Sequence, residues 1–402
     1  MLGSMEWSNL PNELWLSIGQ RLDTRLDVLR FRSVCRSWRS SIPPFCAPCP
    51  RFPLNFPSPY SVSADSTSLP PELLPLLRRL LPDSERSYEA AYLCQRTFYS
   101  LQRLNPTSSS STAAAADKGC LIQVKESNSR KLRLLEATNF FRSHSNRGIR
   151  YPVNLLNYRI VELNRAYRLG WYVNASRLTS SQNERIYLNS GRQPIPGVKK
   201  AVMVPKSAKT NAEVCSFSVI FDDAKLGFAN CRDGKLNLVV DLNVNCDDII
   251  VFKGQSYVVD RLGILWRIEW SSLKLVKLSP PIHAGWCSPC RKHLVEACGA
   301  LYVVDRYFDR KPRSMNSKLH SFHMIPGSAI TIYCRVYKLD EELGSWVLEE
   351  NLGDRVFILG PDFSLSFSAL EISGYRSNSI YFMDHSGSCV FNLEDHSIGY
   401  YS

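Results

Sequence analysis

A short motif recurs in the second half of this 402-residue chain: an apolar, strand-like run that ends on aspartate. SYVVD ends at Asp260, LYVVD at Asp305 and IYFMD at Asp384, with a looser copy, VYKLD, ending at Asp340. The successive intervals are 45, 35 and 44 residues. A turn and then another strand-like run often follow, as in RLGILWRI and HSGSCVFNL. A repeat of about 40–50 residues built of antiparallel strands is what a β-propeller blade requires, because each unit exposes apolar faces that only its neighbours can cover. Residues 88–402 carry short strand-like runs separated by Gly, Asn, Asp and Ser turns throughout. That length predicts six or seven blades. A non-repeating pair of β-sandwiches is the alternative.

The N-terminal segment has a different period. In LPNELWLSIGQRL, Leu14, Ile18 and Leu22 form one row at helical spacing, widened by Trp15. Pro11 sits at the helix start, where its missing N–H costs little, and Glu13 favours the positive dipole end. After Asp23-Thr24-Arg25, the residues Val28, Phe31, Cys35 and Trp38 recur at helical spacing. Residues 5–42 therefore read as a small α domain. About forty residues rarely bury enough surface to fold stably alone, so this unit needs something to pack against. Gly19 interrupts the first helix at a cost of roughly 1 kcal/mol relative to Ala.

Between these parts lies a proline-rich linker, 43–87, holding eleven of the 23 prolines. That density opposes regular helix or central strand and favours extended chain. A second weak segment, TSSSSTAAAAD from Thr107 to Asp117, reads as a mobile loop.

Two resemblances now follow from particular residues. WSNLPNELWLSIGQRLDTRLDVLRFRSVCRSWRSSIP resembles an F-box, through Leu10-Pro11, Glu13-Leu14, Ile18, Arg21-Leu22 and LRFRSVCRSWR. The C-terminal part is similar to the F-box-associated, kelch-like domain of plant Skp1-interacting-partner F-box proteins. CLIQVKESNSRKLRLLE, YPVNLLNYRIVELNRAYRLG, HLVEACGALYVVDR, VYKLDEELGSWVLEENLGDRVFILG and NSIYFMDH carry that likeness. The fold implied is mainly β with a small N-terminal α domain: a three-helix F-box (5–42), the linker (43–87), and a kelch-like β-propeller (88–402).

The resemblance implies a non-catalytic adaptor. An F-box docks on a Skp1-like protein and, through it, on cullin and RING subunits; the propeller holds a protein substrate whose identity the sequence does not disclose. Carried over residue by residue, the Skp1-facing set is Leu10, Pro11, Leu14, Ile18, Val34, Cys35 and Trp38. Core packing is the competing role for Trp38 and Leu22. Helix-in-groove recognition uses apolar anchors at such spacing.

The remaining chemistry points the same way. No run of 18 apolar residues is present, and MLGSMEWSN lacks a signal pattern, so the chain reads as nuclear, cytoplasmic or both, with no membrane partner. Thirteen irregularly spaced cysteines read as reduced thiols. Cys287, Cys290, His293 and Cys298 have some of the pattern of a zinc site, but the last two fall in a predicted strand, and no metal or cofactor is expected. No nucleophile elbow, phosphate loop or zincin motif occurs. Asp222-Asp223 and Asp247-Asp248 read as turn and blade-edge residues rather than acid–base dyads, and the repeated aspartates read as turn-forming. Net charge is +12 but dispersed, so a solvated surface is favoured over nucleic-acid binding. RYFDRKPRSMNS, from Arg306 to Ser317, is the candidate exposed basic loop. The alternative function is a Skp1-independent scaffold or nucleic-acid-associated propeller, which salt dependence would distinguish.

Overall fold

A computed structural model describes residues 11–21, 25–42, 54–57, 88–103, 119–126, 132–136, 158–173, 191–194, 198–203, 215–221, 224–232, 235–241, 244–272, 274–283, 289–309, 330–384 and 387–400. Leu10, Leu22, the 107–117 segment, Asp222-Asp223, Cys287 and nearly all of the basic stretch after Asp309 lie outside these residues. The chain forms two compact units, Met1–Arg51 and Phe52–Ser402.

Among its described residues the first unit holds three helices: α1 (Asn12–Gln20), α2 (Arg25–Val34) and α3 (Arg36–Ser41). Its core is Trp15, Val28, Phe31 and Ile42, with Trp38 packed against them. The Trp15 and Trp38 ring centroids lie 4.1 Å apart, and Trp38 is 4.5 Å from Phe31. Gly19, one turn beyond Trp15, is buried. A Cβ there would stand 2.3 Å from Ile42 Cγ2, so the helix meets the chain after α3 only because residue 19 has no side chain. The inward row of α1 is thus Trp15 and Gly19, about 100° around the helix from Leu14 and Ile18.

Among the described residues the second unit is four sheets. The first has ten strands: β1 (Leu54–Pro57), β2 (Tyr88–Arg103), β3 (Cys120–Glu126), β4 (Leu132–Glu136), β5 (Tyr158–Val173), β6 (Gly191–Pro194), β7 (Val198–Met203), β8 (Cys215–Phe221), β9 (Leu226–Arg232) and β10 (Lys235–Asp241). The second is β11 (Cys246–Phe252), β12 (Gln255–Asp260), β13 (Leu265–Glu269) and β14 (Lys274–Lys277). The third is β15 (Cys290–Ala297), β16 (Ala300–Phe308), β17 (Thr331–Asp340) and β18 (Ser345–Glu349). The fourth contains β19 (Arg355–Leu359), β20 (Ser364–Ser368), β21 (Ser379–Asp384), β22 (Gly387–Asn392) and β23 (Ile398–Tyr400), in the order β20-β19-β21-β22-β23. Apart from the parallel β19–β21 pair, neighbours are antiparallel.

These sheets close a circle. Strand β11 lies between β7 and β15, β15 touches β20, and β20 touches β5, which returns to the first sheet. Each junction has its own apolar core. Val202 and Phe228 meet Ile249 and Val258. Ile250 and Val259 meet Leu294 and Val303. Val295 and Val304 meet Phe357 and Ile380. Ile358 and Phe363 meet Phe98 and Ala166, which completes the ring. Strand β19 explains how one sheet serves two junctions. Val356 and Ile358 face the first sheet while Phe357 and Leu359 face the third, so a strand buried on both sides reads as the unbroken apolar run VFIL.

The β-propeller expectation therefore holds, but six or seven blades do not. Among the described residues four sheets form the ring. Two causes inflated the count. Strands β2 and β5 are 16 residues each and pair along almost their whole length, and β5 also bridges β7 at Tyr167–Ala201, so two antiparallel arrays merge into one sheet. Asp340, moreover, lies on β17 in the same sheet as Asp305, so the shortest interval in the repeat is a step within a sheet. Inside the proline-rich linker, β1 pairs with β2 through Leu54–Pro57, an arrangement compatible with proline where the strand is peripheral.

Hairpin turns follow local chemistry. Lys253-Gly254 and Cys298-Gly299 join their strands as two-residue turns with positive φ at both positions, which glycine adopts without strain. Cys298 therefore sits in a turn at the opposite end of β15 from Cys290, some 25 Å along the strand by the usual rise per residue. That separation removes it from any zinc site with Cys290. Among the described residues no group of three His, Cys, Asp or Glu converges as a metal site, and no helix is long and apolar enough to cross a membrane.

Candidate functional site

Two features stand out, one in each unit. In the helical unit the core is closed by Trp15, Phe31 and Trp38, yet apolar side chains remain on the surface. Leu14 is 47% exposed, Leu16 43%, Ile18 39% and Val34 59%. Leu14 and Ile18 lie one turn apart on α1, and Val34 ends α2. Pro11 caps α1 in extended conformation and is exposed. Cys35 caps α3, its sulfur accepting the Trp38 N–H at 3.5 Å. The α2–α3 corner is held by two arginines reaching across it: Arg32 Nη1 donates to the Arg39 carbonyl at 2.8 Å, and Arg39 Nε to the Arg32 carbonyl at 3.0 Å. An exposed apolar set on a unit with its own finished core is surface available to a partner. Leu16 belongs to it by exposure, although the row counting that singled out Leu14 and Ile18 passed it over.

In the propeller the innermost strands carry charge side by side: Lys199-Lys200 on β7, Asp247-Asp248 on β11, and Arg291-Lys292-His293 on β15. The reading of Asp247-Asp248 as blade-edge turn residues is corrected here. Both are buried, at 5% and 4% exposure. Asp248 Oδ1 pairs with Lys200 Nζ at 2.8 Å, and its Oδ2 accepts the Leu294 N–H at 2.8 Å. Asp247 Oδ2 accepts the Lys292 N–H at 3.0 Å. The open edge of β15 is thus satisfied by side chains from β11. Ser364 of β20 donates its hydroxyl to the Leu294 carbonyl, and Asn164 of β5 donates to the Ser364 carbonyl. A strand edge buried without such partners would leave costly unpaired backbone groups.

The repeated aspartates divide. Asp260 does form a turn: its carboxylate accepts the N–H groups of Leu262 and Ile264, both at 2.9 Å, and the Trp266 indole N–H at 3.0 Å. Asp340 does the same for Glu342 and Leu343. Asp305 does not. It is fully buried in mid-strand, with Lys292 Nζ at 3.3 Å, His283 Nε2 at 2.6 Å and the Tyr307 hydroxyl donating at 2.9 Å. Arg306, expected to begin an exposed basic loop, is buried over the Phe382 ring and donates to the Met383 carbonyl.

Comparison with known proteins bears on both units. The KIB1-4 beta-propeller family matches residues 88–402, and an F-box-like family matches residues 7–43. The chain belongs to the KIB1-4 β-propeller family. Among its relatives are two Arabidopsis thaliana proteins. The probable F-box protein At1g65740 is 28% identical over 97% of this chain and 93% of its own length. The F-box protein SKIP23 is 26% identical over 97% of this chain and 86% of its own. A solved Synechocystis apocarotenoid oxygenase aligns with a TM-score of 0.28 and 10% identity, covering 80% of this chain and 82% of that one, too remote to bear on activity.

For a KIB1-4 propeller preceded by an F-box-like segment, the geometry separates the predicted contact residues by location. Pro11, Leu14, Ile18, Val34 and Cys35 are exposed, Trp38 is half-buried in the aromatic core, and Leu10 lies outside the described residues. The charged doublets of the propeller are used largely to join strand edges, a role that no single-residue motif announces.

Proposed function

We propose that this protein is the substrate-recognition subunit of a Skp1–cullin–F-box ubiquitin ligase. The helical unit docks on a Skp1-like protein through Pro11, Leu14, Ile18, Val34 and Cys35, with Leu10 at the entry and Trp38 bracing the helices from within. The propeller presents a target protein to the conjugating enzyme that the cullin and RING subunits bring. The finer assignment is to the Skp1-interacting, kelch-like type, acting in the nucleus, the cytoplasm or both. The chain contributes proximity and no bond chemistry: holding the target near a charged conjugating enzyme raises its effective concentration.

The observation that carries this reading is the pairing of an F-box-like segment with aliphatic side chains left uncovered beside a completed core. Helix-in-groove partners recognise such anchors. The test is co-purification of the full chain with a Skp1-like protein at low and high salt. An apolar interface survives high salt, whereas capture through phosphate-like charge contacts weakens steeply. Failure of capture at both salts would sink the proposal.

A further inference from the structure

A chain of side-chain contacts runs through the start of β15 and the end of β16. Cys290 lies opposite Tyr307 across the two strands, and Lys292 lies opposite Asp305. Side chains alternate along a strand, so these four share one face with the Leu294–Val303 pair. Lys292 is wholly buried, and its Nζ stands 3.3 Å from Asp305 Oδ1 and 3.4 Å from Cys290 Sγ. Asp305 Oδ2 is taken by His283 Nε2 at 2.6 Å and by the Tyr307 hydroxyl at 2.9 Å. The backbone is fixed here as well, the Lys292 N–H donating to Asp247 Oδ2 at 3.0 Å.

Two details distinguish this cluster from a purely structural ion pair. The first is the place of the ammonium. Charge-assisted contacts normally close to about 2.7–2.9 Å, and Lys200 reaches Asp248 at 2.8 Å. At 3.3 and 3.4 Å the Lys292 ammonium is instead shared between carboxylate and sulfur. Burial opposes its charge, Asp305 and Cys290 favour it, and its pKa ends above the ordinary value, so it remains a cation. The second detail is access. The Cys290 residue is partly exposed while the cation behind it is not. A desolvated positive charge at hydrogen-bond distance favours the thiolate, which is the nucleophilic form, and partial exposure admits a small reagent. In the sequence Cys287 stands three residues earlier, and C-x-x-C is the spacing of redox pairs.

We propose that Cys290 is a peroxide-sensitive thiol, with hydrogen peroxide as its oxidant and Lys292 as the residue that holds it ready as thiolate. The sulfur attacks one peroxide oxygen, so that an S–O bond forms while the O–O bond breaks. Sulfur is oxidised by two electrons to a sulfenic acid and the peroxide is reduced. The leaving hydroxide takes up the proton that the thiol released, so thiol and peroxide give sulfenic acid and water. The site lies wholly within the propeller and does not depend on docking to a Skp1-like protein.

The experiment uses the full chain. Iodoacetamide alkylation is followed residue by residue by mass spectrometry from about pH 5 to 9, and hydrogen peroxide treatment is followed by trapping with dimedone. Cys298, more exposed than Cys290 and placed in the β15–β16 turn, is the internal reference. Near pH 6 Cys290 should be alkylated roughly fivefold faster than Cys298 despite its lower exposure, and peroxide should mark it first. A dimedone adduct at Cys290 and a disulfide from Cys290 to Cys287 both report the same first step. Lys292→Met removes the cation, leaves the Asp305 charge facing the sulfur, and should slow Cys290 about tenfold near pH 7. Loosening of the strand would expose the sulfur and speed the reaction, so slowing cannot arise from lost structure. The wild-type comparison decides by itself: a Cys290 rate equal to or below that of Cys298 overturns the proposal. So does a rate at or above wild type in a Lys292→Met chain that still unfolds cooperatively.

Discussion

Asp248 Oδ2 accepts the backbone N–H of Leu294 at 2.8 Å while its other oxygen holds Lys200 at 2.8 Å, so one carboxylate ties together the inner strands of three neighbouring sheets. Its replacement by Ala leaves a buried ammonium and a buried N–H without partners. Breaking a buried ion pair in this way costs about 3–5 kcal/mol. Urea unfolding of Asp248→Ala should show that loss, and Asp248→Asn, which keeps an acceptor, a smaller one. Equal stability of wild type and Ala variant would mean the carboxylate does not join the sheets.

The exposed and buried rows of α1 should separate binding from folding. Leu14→Glu or Ile18→Glu places charge on surface that is already wet, so folding changes little while capture of a Skp1-like protein is lost. Trp15→Ala removes the most buried side chain of the unit and should cost about 3–5 kcal/mol. Limited proteolysis of residues 11–42 reads the second effect and pull-down reads the first. A Leu14→Glu variant captured as well as wild type would show that the contact face lies elsewhere.

Gly19→Ala tests packing against propensity. Alanine is favoured in a helix interior by about 1 kcal/mol. Here its Cβ would meet Ile42 Cγ2 at 2.3 Å. Overpacking of this kind typically costs 1–3 kcal/mol, so the variant should be less stable in thermal unfolding. Greater stability would show that Ile42 yields readily.

Lys199 should leave a signature in pH-dependent stability. Burial, and then the charge of Arg291, lower its pKa from 10.5 to about 7. Between those values the unfolded chain carries the proton and the folded chain does not, so this group makes stability rise with pH across that interval. Below about 7 its penalty is present in full. Lys199→Met should therefore flatten the curve of Tm against pH between about 7 and 10. Parallel curves for wild type and variant would show that the ammonium is not desolvated.

The β-rich class, the division into a helical and a β part, and the propeller were legible because they rest on periodicity, which local sequence carries. The apolar runs SYVVD, LYVVD and IYFMD announced strands, whereas that both faces of VFIL are covered came only from the packing of its neighbours. The exposed pair Leu14 and Ile18 was legible as a row at helical spacing, and Leu16 was not, since it stands outside that row. The direction in which α1 faces its own core depended on Gly19, whose missing side chain has meaning only once Ile42 lies against it.

What the sequence alone determined, then, is the division into a helical and a β-rich part and the row of Leu14 and Ile18 on the first helix. Tertiary structure decided how many sheets make the ring, because strand length and the Tyr167–Ala201 bridge merge arrays that a repeat count keeps apart. It also decided that Asp247 and Asp248 are buried connectors rather than solvated turns. A carboxylate reads identically in either setting, and only the approach of Lys200 and the β15 edge, 45 or more residues away in sequence, gives it partners in place of water.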